Sequence, residues 1–182
     1  MRKASNEEVY EILFIRGLLE GAATQLCVNF VTGIMLRKLD ALCDGMERAT
    51  LENNVEEYAR LNREFHRTIF SALPFTKLTS QIEDLWQSYG WLQLTFRRQP
   101  HRMAESNKEH RAIVEALRAR SGAEAGRAAF VHKQNARRAF IAAGCGGTGK
   151  DADTAAKEIS VIEEIEVLSD LWREAQWPSV KD

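Results

Sequence analysis

The sequence is poor in prolines and cysteines and has no long hydrophobic run. Its three prolines begin at Pro74, so no proline interrupts a helix before that point. Three cysteines, Cys27, Cys43 and Cys145, form neither CxxC spacing nor an even set, which argues against a disulfide framework and favours a reducing, cytoplasmic compartment. Apolar stretches stay below the roughly 18 residues of a membrane span, and the N-terminus lacks a signal-peptide core. A net charge of −1 gives no basic field for nucleic acid.

Helix-forming residues dominate the chain, and no segment shows sustained alternation of period two. This pattern predicts an all-α fold, and 182 residues that are 45% hydrophobic suffice for one domain with a substantial core. Ser106 to Glu109 has the form of a capping box, which leaves His101 in a loop beside Pro100. The helices of the bundle are predicted over 6–26, 32–48, 55–73, 76–97, 106–120 and 123–143.

The composition changes after residue 143. Residues 144–153, GCGGTGKDAD, have the glycine content of a flexible linker. Helical periodicity returns over 155–172 in an acidic segment, which we expect to pack on the bundle or on a partner chain. The predicted organisation is a helical domain over 1–143, the linker, and an extra C-terminal helix within a tail over 154–182.

The linker also contains a near match to a nucleotide-binding P-loop. Asp151 stands where a Ser or Thr must hold magnesium, and a helix precedes the glycines where the motif requires a strand. We therefore do not expect nucleotide binding there.

Three histidines and an amide lie on the apolar faces of three predicted helices. Asn62 and His66 are four residues apart, so their side chains lie one turn apart on one face, and His110 and His132 follow on later helices. One such histidine is usually a hydrogen-bonded core residue. Together, the four predict a divalent metal site, because neutral imidazole binds zinc, nickel, manganese and iron.

Arg16 is a further polar residue on an apolar face, that of the first helix. One interpretation is a side chain that reaches the edge and pairs with Glu20, one turn along. The other is a guanidinium inside the pocket that binds a carboxylate ligand.

Four segments carry a resemblance to a known family. EHRAIVEALRAR, GAEAGRAAFVHKQ, LNREFHRTIFSA and IRGLLEGAATQL resemble the ligand-binding domain of GntR-type regulators of the FadR subgroup, the FadR C-terminal domain or FCD. The resemblance implies an antiparallel helical bundle, usually a homodimer. It also implies a metal held by one Asp and three His, at Asn62, His66, His110 and His132. A small carboxylate effector would bind the metal near Arg16, and binding would be relayed to an N-terminal winged helix on DNA.

The chain departs from that pattern at two points. Asn62 replaces the family's Asp, which removes one negative charge and predicts weaker metal retention or a stronger need for an anionic ligand. The DNA-binding winged helix is absent from the chain, which begins at Met1 near where the interdomain linker would end.

The leading hypothesis is therefore an effector-sensing domain, not an enzyme, which binds a small organic acid at a histidine-held metal. A stand-alone metal-dependent lyase or hydrolase is the alternative, although Glu64 and Glu109 are expected to point away from the histidines beside them. A third hypothesis is a metal-free site in which the histidines and Asn62 bind an organic ligand directly.

Overall fold

A computed structural model describes residues 6–87 and 91–143 of the chain. Within these ranges the chain forms seven α-helices, one short 3-10 helix and no β-strand, which confirms the predicted all-α fold. The elements are α1 (Asn6–Cys27), the 3-10 helix (Val28–Phe30), α2 (Gly33–Leu51), α3 (Val55–Phe70), α4 (Thr76–Gln87), α5 (Trp91–Arg98), α6 (His101–Arg118) and α7 (Gly122–Ala142).

Side-chain caps fix the starts of α2 and α3. Thr32 Oγ1 accepts a hydrogen bond from the backbone N of Met35 at 3.2 Å, and Asn54 Oδ1 accepts one from the backbone N of Glu57 at 3.0 Å. Each cap satisfies an amide that has no partner within its own helix. Asn53, just before the second cap, has a φ of 51°, a left-handed conformation that asparagine tolerates better than most residues.

The most extensive helix contact joins α1 to α7, while α6 also packs on α7 and α2 packs on α3 and α6. Gly126 allows the close approach of α1 and α7. A Cβ at this position would lie 2.9 Å from Gln25 Cβ and 3.1 Å from the backbone oxygen of Gly21. The tight packing brings polar side chains of the first and last described helices into contact.

The predicted start of the fifth helix is wrong. The helix, α6, begins at His101, and Pro100 is its N-cap residue with φ −58° and ψ −33°. Proline suits a helix start because its missing N–H has no intrahelical partner there. Ser106 is buried inside α6 and caps nothing, and His101 is an exposed helical residue rather than a loop residue.

Two other helix limits also differ from the prediction. The third helix ends at Phe70 and not at residue 73, and the predicted helix over 76–97 corresponds to α4 and α5. Residues 88–90 between them lie outside the described residues. So do the predicted linker over 144–153 and the predicted helix over 155–172. None of the described helices combines the length and apolar character needed to cross a bilayer.

Candidate metal centre

Three histidines from three helices meet in the core of the bundle. His66 on α3, His110 on α6 and His132 on α7 are all buried, and one ring nitrogen from each lies within 4.8 Å of the others. The rings of His110 and His132 have centroids 4.5 Å apart, and His66 lies 5.2 Å from each. The sequence-predicted histidines are thus brought together at one point.

His110 is the histidine with the most unusual surroundings. Its side chain is fully buried, and neither ring nitrogen has a hydrogen-bond partner within the described residues. The ring packs against Phe65, with centroids 4.5 Å apart. A buried polar atom without a partner is energetically unfavourable, so a nitrogen in this setting fits a metal ligand better than a hydrogen-bonded core residue.

All three imidazoles are held in the neutral form. Burial lowers the pKa of His66, His110 and His132 well below the ordinary value of 6.5, and the positive charge of Lys133 lowers each further. A neutral imidazole has an available nitrogen lone pair, which an imidazolium lacks. The electrostatic surroundings therefore favour the protonation state that binds a metal.

Glu109 orients the imidazole of His132. Its Oε2 lies 2.6 Å from His132 Nδ1, and its carboxylate also accepts hydrogen bonds from Arg102 at 2.7 Å and from Asn135 at 2.8 Å. A carboxylate at Nδ1 stabilises the tautomer that carries a proton there, which leaves Nε2 as the free ligand atom. Glu64, the other acid considered from the sequence, instead binds Lys38 on the surface at 2.6 Å.

Glu20 lies beside the histidines and contacts two buried cations, Arg16 and Lys133, and the indole of Trp86. Glu20 is only 1% exposed. Its Oε1 accepts hydrogen bonds from Arg16 Nε at 2.8 Å and from Trp86 Nε1 at 3.0 Å. Its Oε2 lies 2.9 Å from Lys133 Nζ. Burial alone would raise the pKa of Glu20, but the charges of Arg16 and Lys133 lower it. The carboxylate therefore stays ionised.

The position of Arg16 combines the two interpretations of its sequence context. It pairs with Glu20, yet it is only 6% exposed and does not reach the edge of the bundle. Its guanidinium lies 4.7 Å from the Trp86 ring centroid, and that ring lies 5.5 Å from the ring of His66. Arg16 is thus a buried cation close to the histidines.

Lys133 contacts the histidine cluster directly. Its Nζ lies 3.1 Å from His66 Nε2, while the other ring nitrogen, Nδ1, lies 3.7 Å from Glu20 Oε2. Burial lowers the pKa of Lys133 to about 8, against the attraction of Glu20. Lys133 therefore still carries most of its charge at neutral pH.

Asn62 is buried on α3, one turn before His66. Within the described residues no hydrogen bond joins its amide to the three histidines. The contacts of the histidines instead involve Glu20, Lys133, Trp86 and Glu109, none of which was selected from the sequence as a site residue. Lys133 directly follows His132, but a lysine on a helix is ordinarily exposed, so its sequence position gave no signal of burial.

The donor set fits a divalent transition metal. Three buried, neutral imidazoles are typical of zinc and related ions. A metal would also provide a partner for one of the two partnerless nitrogens of His110, the one that carries the lone pair. The residues that would hold the ion are His66, His110 and His132. Lys133 Nζ already contacts one nitrogen of this set, His66 Nε2.

The sequence model of the FCD domain matches residues 11–135, a range that contains all three histidines. Among solved structures, E. coli McbR/YncC is similar in fold, with a TM-score of 0.69 and 23% sequence identity over 74% of this chain and 68% of that chain. No curated protein matches the chain. The family match indicates a regulatory domain rather than an enzyme. The chain belongs to the FCD domain family of GntR/FadR-type regulators.

Proposed function

We propose that this chain is the effector-sensing domain of a GntR/FadR-type transcriptional regulator. It binds a small organic acid at a divalent metal held by His66, His110 and His132. The observation that carries the proposal is the convergence of three buried, neutral imidazoles from three helices. A core that needed only apolar packing would not place three such groups together, because each brings polar atoms that require partners.

The metal, when bound, supplies the positive charge that attracts the carboxylate oxygens of the effector. Around it, Glu109 fixes the ring of His132, and Phe65 packs on the ring of His110. Arg16 lies on the neighbouring helix and provides a guanidinium close to the site, which suits a carboxylate. Asn62, in place of an acid, adds no negative charge, so the site favours an anionic ligand more strongly than an Asp-containing site.

Effector binding reaches the rest of the protein through the helices that hold the site. His66, His110 and His132 lie on α3, α6 and α7, and Arg16 lies on α1. A ligand that bridges these helices stabilises one arrangement of them over others. In a homodimeric, cytoplasmic regulator this arrangement of helices sets the geometry of two winged-helix domains on DNA. The free energy that couples effector binding to DNA binding then comes from the difference in the effector's affinity for the two helix arrangements.

The alternative of a stand-alone metalloenzyme has little support at this site. The two acids nearest the histidines in sequence are both engaged, Glu64 with Lys38 and Glu109 with His132, Arg102 and Asn135. Neither is placed as a free general base for a metal-bound water. The match to a regulatory family points the same way.

Elemental analysis of protein purified without an affinity tag tests the proposal. Wild type is expected to contain about one equivalent of zinc, nickel, manganese or iron per chain, and His110→Ala to lose it. His101→Ala is the matched control, because His101 is exposed at the start of α6. A wild-type chain that contains no metal and takes up none of these four ions would overturn the metal site and favour direct binding of an organic ligand.

A further inference from the structure

Lys133 is a buried cation at the edge of the candidate metal site. It is 4% exposed, and its ammonium lies between Glu20 Oε2 at 2.9 Å and His66 Nε2 at 3.1 Å. These contacts join α7 to α1 and α3. Few buried lysines occur without a charge partner, and Glu20 explains the burial. It does not explain why the ammonium also contacts a histidine.

The contact with His66 has a consequence for metal binding. A neutral imidazole has one nitrogen with an N–H and one with a lone pair, and an ammonium can only donate. The Lys133 contact therefore takes the lone pair of His66 Nε2, leaving the N–H on Nδ1, the side nearer Glu20. The same lone pair cannot accept the ammonium proton and bind a metal at the same time. A divalent ion at that nitrogen would also be repelled by the adjacent charge.

We propose that Lys133 is an internal cation that competes with the metal for His66, so that metal binding requires the ammonium to leave Nε2. The inference rests on the proposed function, because it takes His66 as a metal ligand. Lys133 is then a residue that sets metal affinity without itself binding the metal. Once displaced, its charge stays near Glu20 and Arg16 and increases the attraction of the site for an anionic effector.

The geometry supports displacement rather than loss of the lysine's partners. Lys133 Nζ lies 5.6 Å from the centroid of the Trp86 ring, a cation–π distance, and the indole N–H of Trp86 binds the same Glu20 carboxylate. An ammonium that moves off His66 therefore still has an aromatic face and a carboxylate within reach.

The test is the zinc affinity of metal-free protein, measured at one fixed pH by competition with a chromophoric chelator. Lys133→Met keeps an unbranched side chain of similar length and removes the charge. We expect Lys133→Met to bind zinc at least tenfold more tightly than wild type. Lys38→Met is the matched control, because it removes an exposed lysine that pairs with Glu64 away from the histidines, and its affinity is expected to equal that of wild type.

A second variant keeps the test valid if Lys133→Met does not fold. Lys133→Met removes the ammonium that lies 2.9 Å from Glu20 Oε2, so Glu20→Gln combined with Lys133→Met removes both charges of the pair. Circular dichroism melting identifies the folded variants. Visible absorption of bound cobalt then reports whether the metal has the same coordination in each.

The outcomes separate the inference from the proposed function. Tighter zinc binding in a folded variant without Lys133 than in wild type supports the inference. Equal or weaker binding overturns the inference and leaves the metal site in place. Zinc binding in none of the folded proteins overturns both.

Discussion

The carboxylate of Glu109 lies 2.6 Å from Nδ1 of His132, across the contact between α6 and α7. Because that contact fixes the ring and its tautomer, Glu109→Ala is expected to weaken metal binding about 10- to 100-fold, as is typical of partners behind a ligating histidine. The measurement is zinc affinity by chelator competition. Glu115→Ala, an exposed acid on the same helix, is the control and should leave the affinity unchanged.

Nuclear magnetic resonance of the histidine ring nitrogens provides an independent check on Glu109. In metal-free wild type the proton of His132 is expected on Nδ1, and in Glu109→Ala this preference should decrease. An unchanged tautomer in the variant would show that the contact does not orient the ring.

Removal of Glu20 is expected to destabilise the fold strongly. Its carboxylate is the shared partner of Arg16 and Lys133, and both are buried. Glu20→Ala leaves two buried cations without it, a change expected to lower the free energy of unfolding by about 3–5 kcal/mol. Urea denaturation measures the loss. Glu57→Ala removes the acid of an exposed pair with Arg60 and should change stability little. Equal losses in the two variants would contradict the role assigned to Glu20.

The sequence predicted the parts of the site that depend on helical periodicity. His66, His110 and His132 could be assigned to apolar faces because each lies in a stripe with the period of an α-helix. Glu20 and Lys133 could not, because charged residues on helices are usually exposed. Their burial depends on the close contact of α1 with α7, which involves residues more than 100 positions apart.

The helix limits also show that the sequence predicts features with a local signal and misses those that depend on contacts between helices. The start of α4 at Thr76 follows from a local signal near Pro74, whereas the start of α6 was assigned to the capping residues of 106–109. Those residues lie inside the helix, and Ser106 and Asn107 are buried in it. Asn107 instead donates a hydrogen bond to the backbone oxygen of Cys43 at 3.0 Å, a contact between α6 and α2 that has no sequence signature.

The stability of the metal-free chain is expected to fall in mild acid. Burial lowers the pKa of His66, His110 and His132 well below 6.5, so the folded state stays neutral where the unfolded chain binds protons. The stabilisation that comes from these neutral histidines is therefore fully present above about pH 6.5 and is lost as the pH falls below that value. With three histidines, the slope of the free energy of unfolding against pH is at most about 4 kcal/mol per pH unit. Urea midpoints between pH 7.5 and 5.5 measure it.

Two variants identify the groups responsible for this pH dependence. His110→Phe keeps an aromatic ring beside Phe65 and should reduce the slope by about one proton. His101→Ala removes an exposed histidine at the start of α6 and is the control for this substitution. A wild-type slope retained in His110→Phe would show that His110 binds protons equally in both states.

Gly126 is expected to tolerate no side chain, because α1 lies against its backbone. An added Cβ would meet Gln25 Cβ at 2.9 Å and the Gly21 backbone oxygen at 3.1 Å, and neither is the free end of a flexible side chain. Gly126→Ala is therefore expected to destabilise the domain by about 1–3 kcal/mol, despite the higher helix propensity of alanine. Thermal and urea unfolding measure the effect. Gly33→Ala is the control, since a Cβ there would meet only the Arg37 guanidinium, at 3.6 Å.

Because the α1–α7 contact also holds Glu20 against Lys133, Gly126→Ala should change zinc affinity as well as stability, whereas Gly33→Ala should change neither. A Gly126→Ala protein as stable as wild type would show that α1 and α7 can separate without loss.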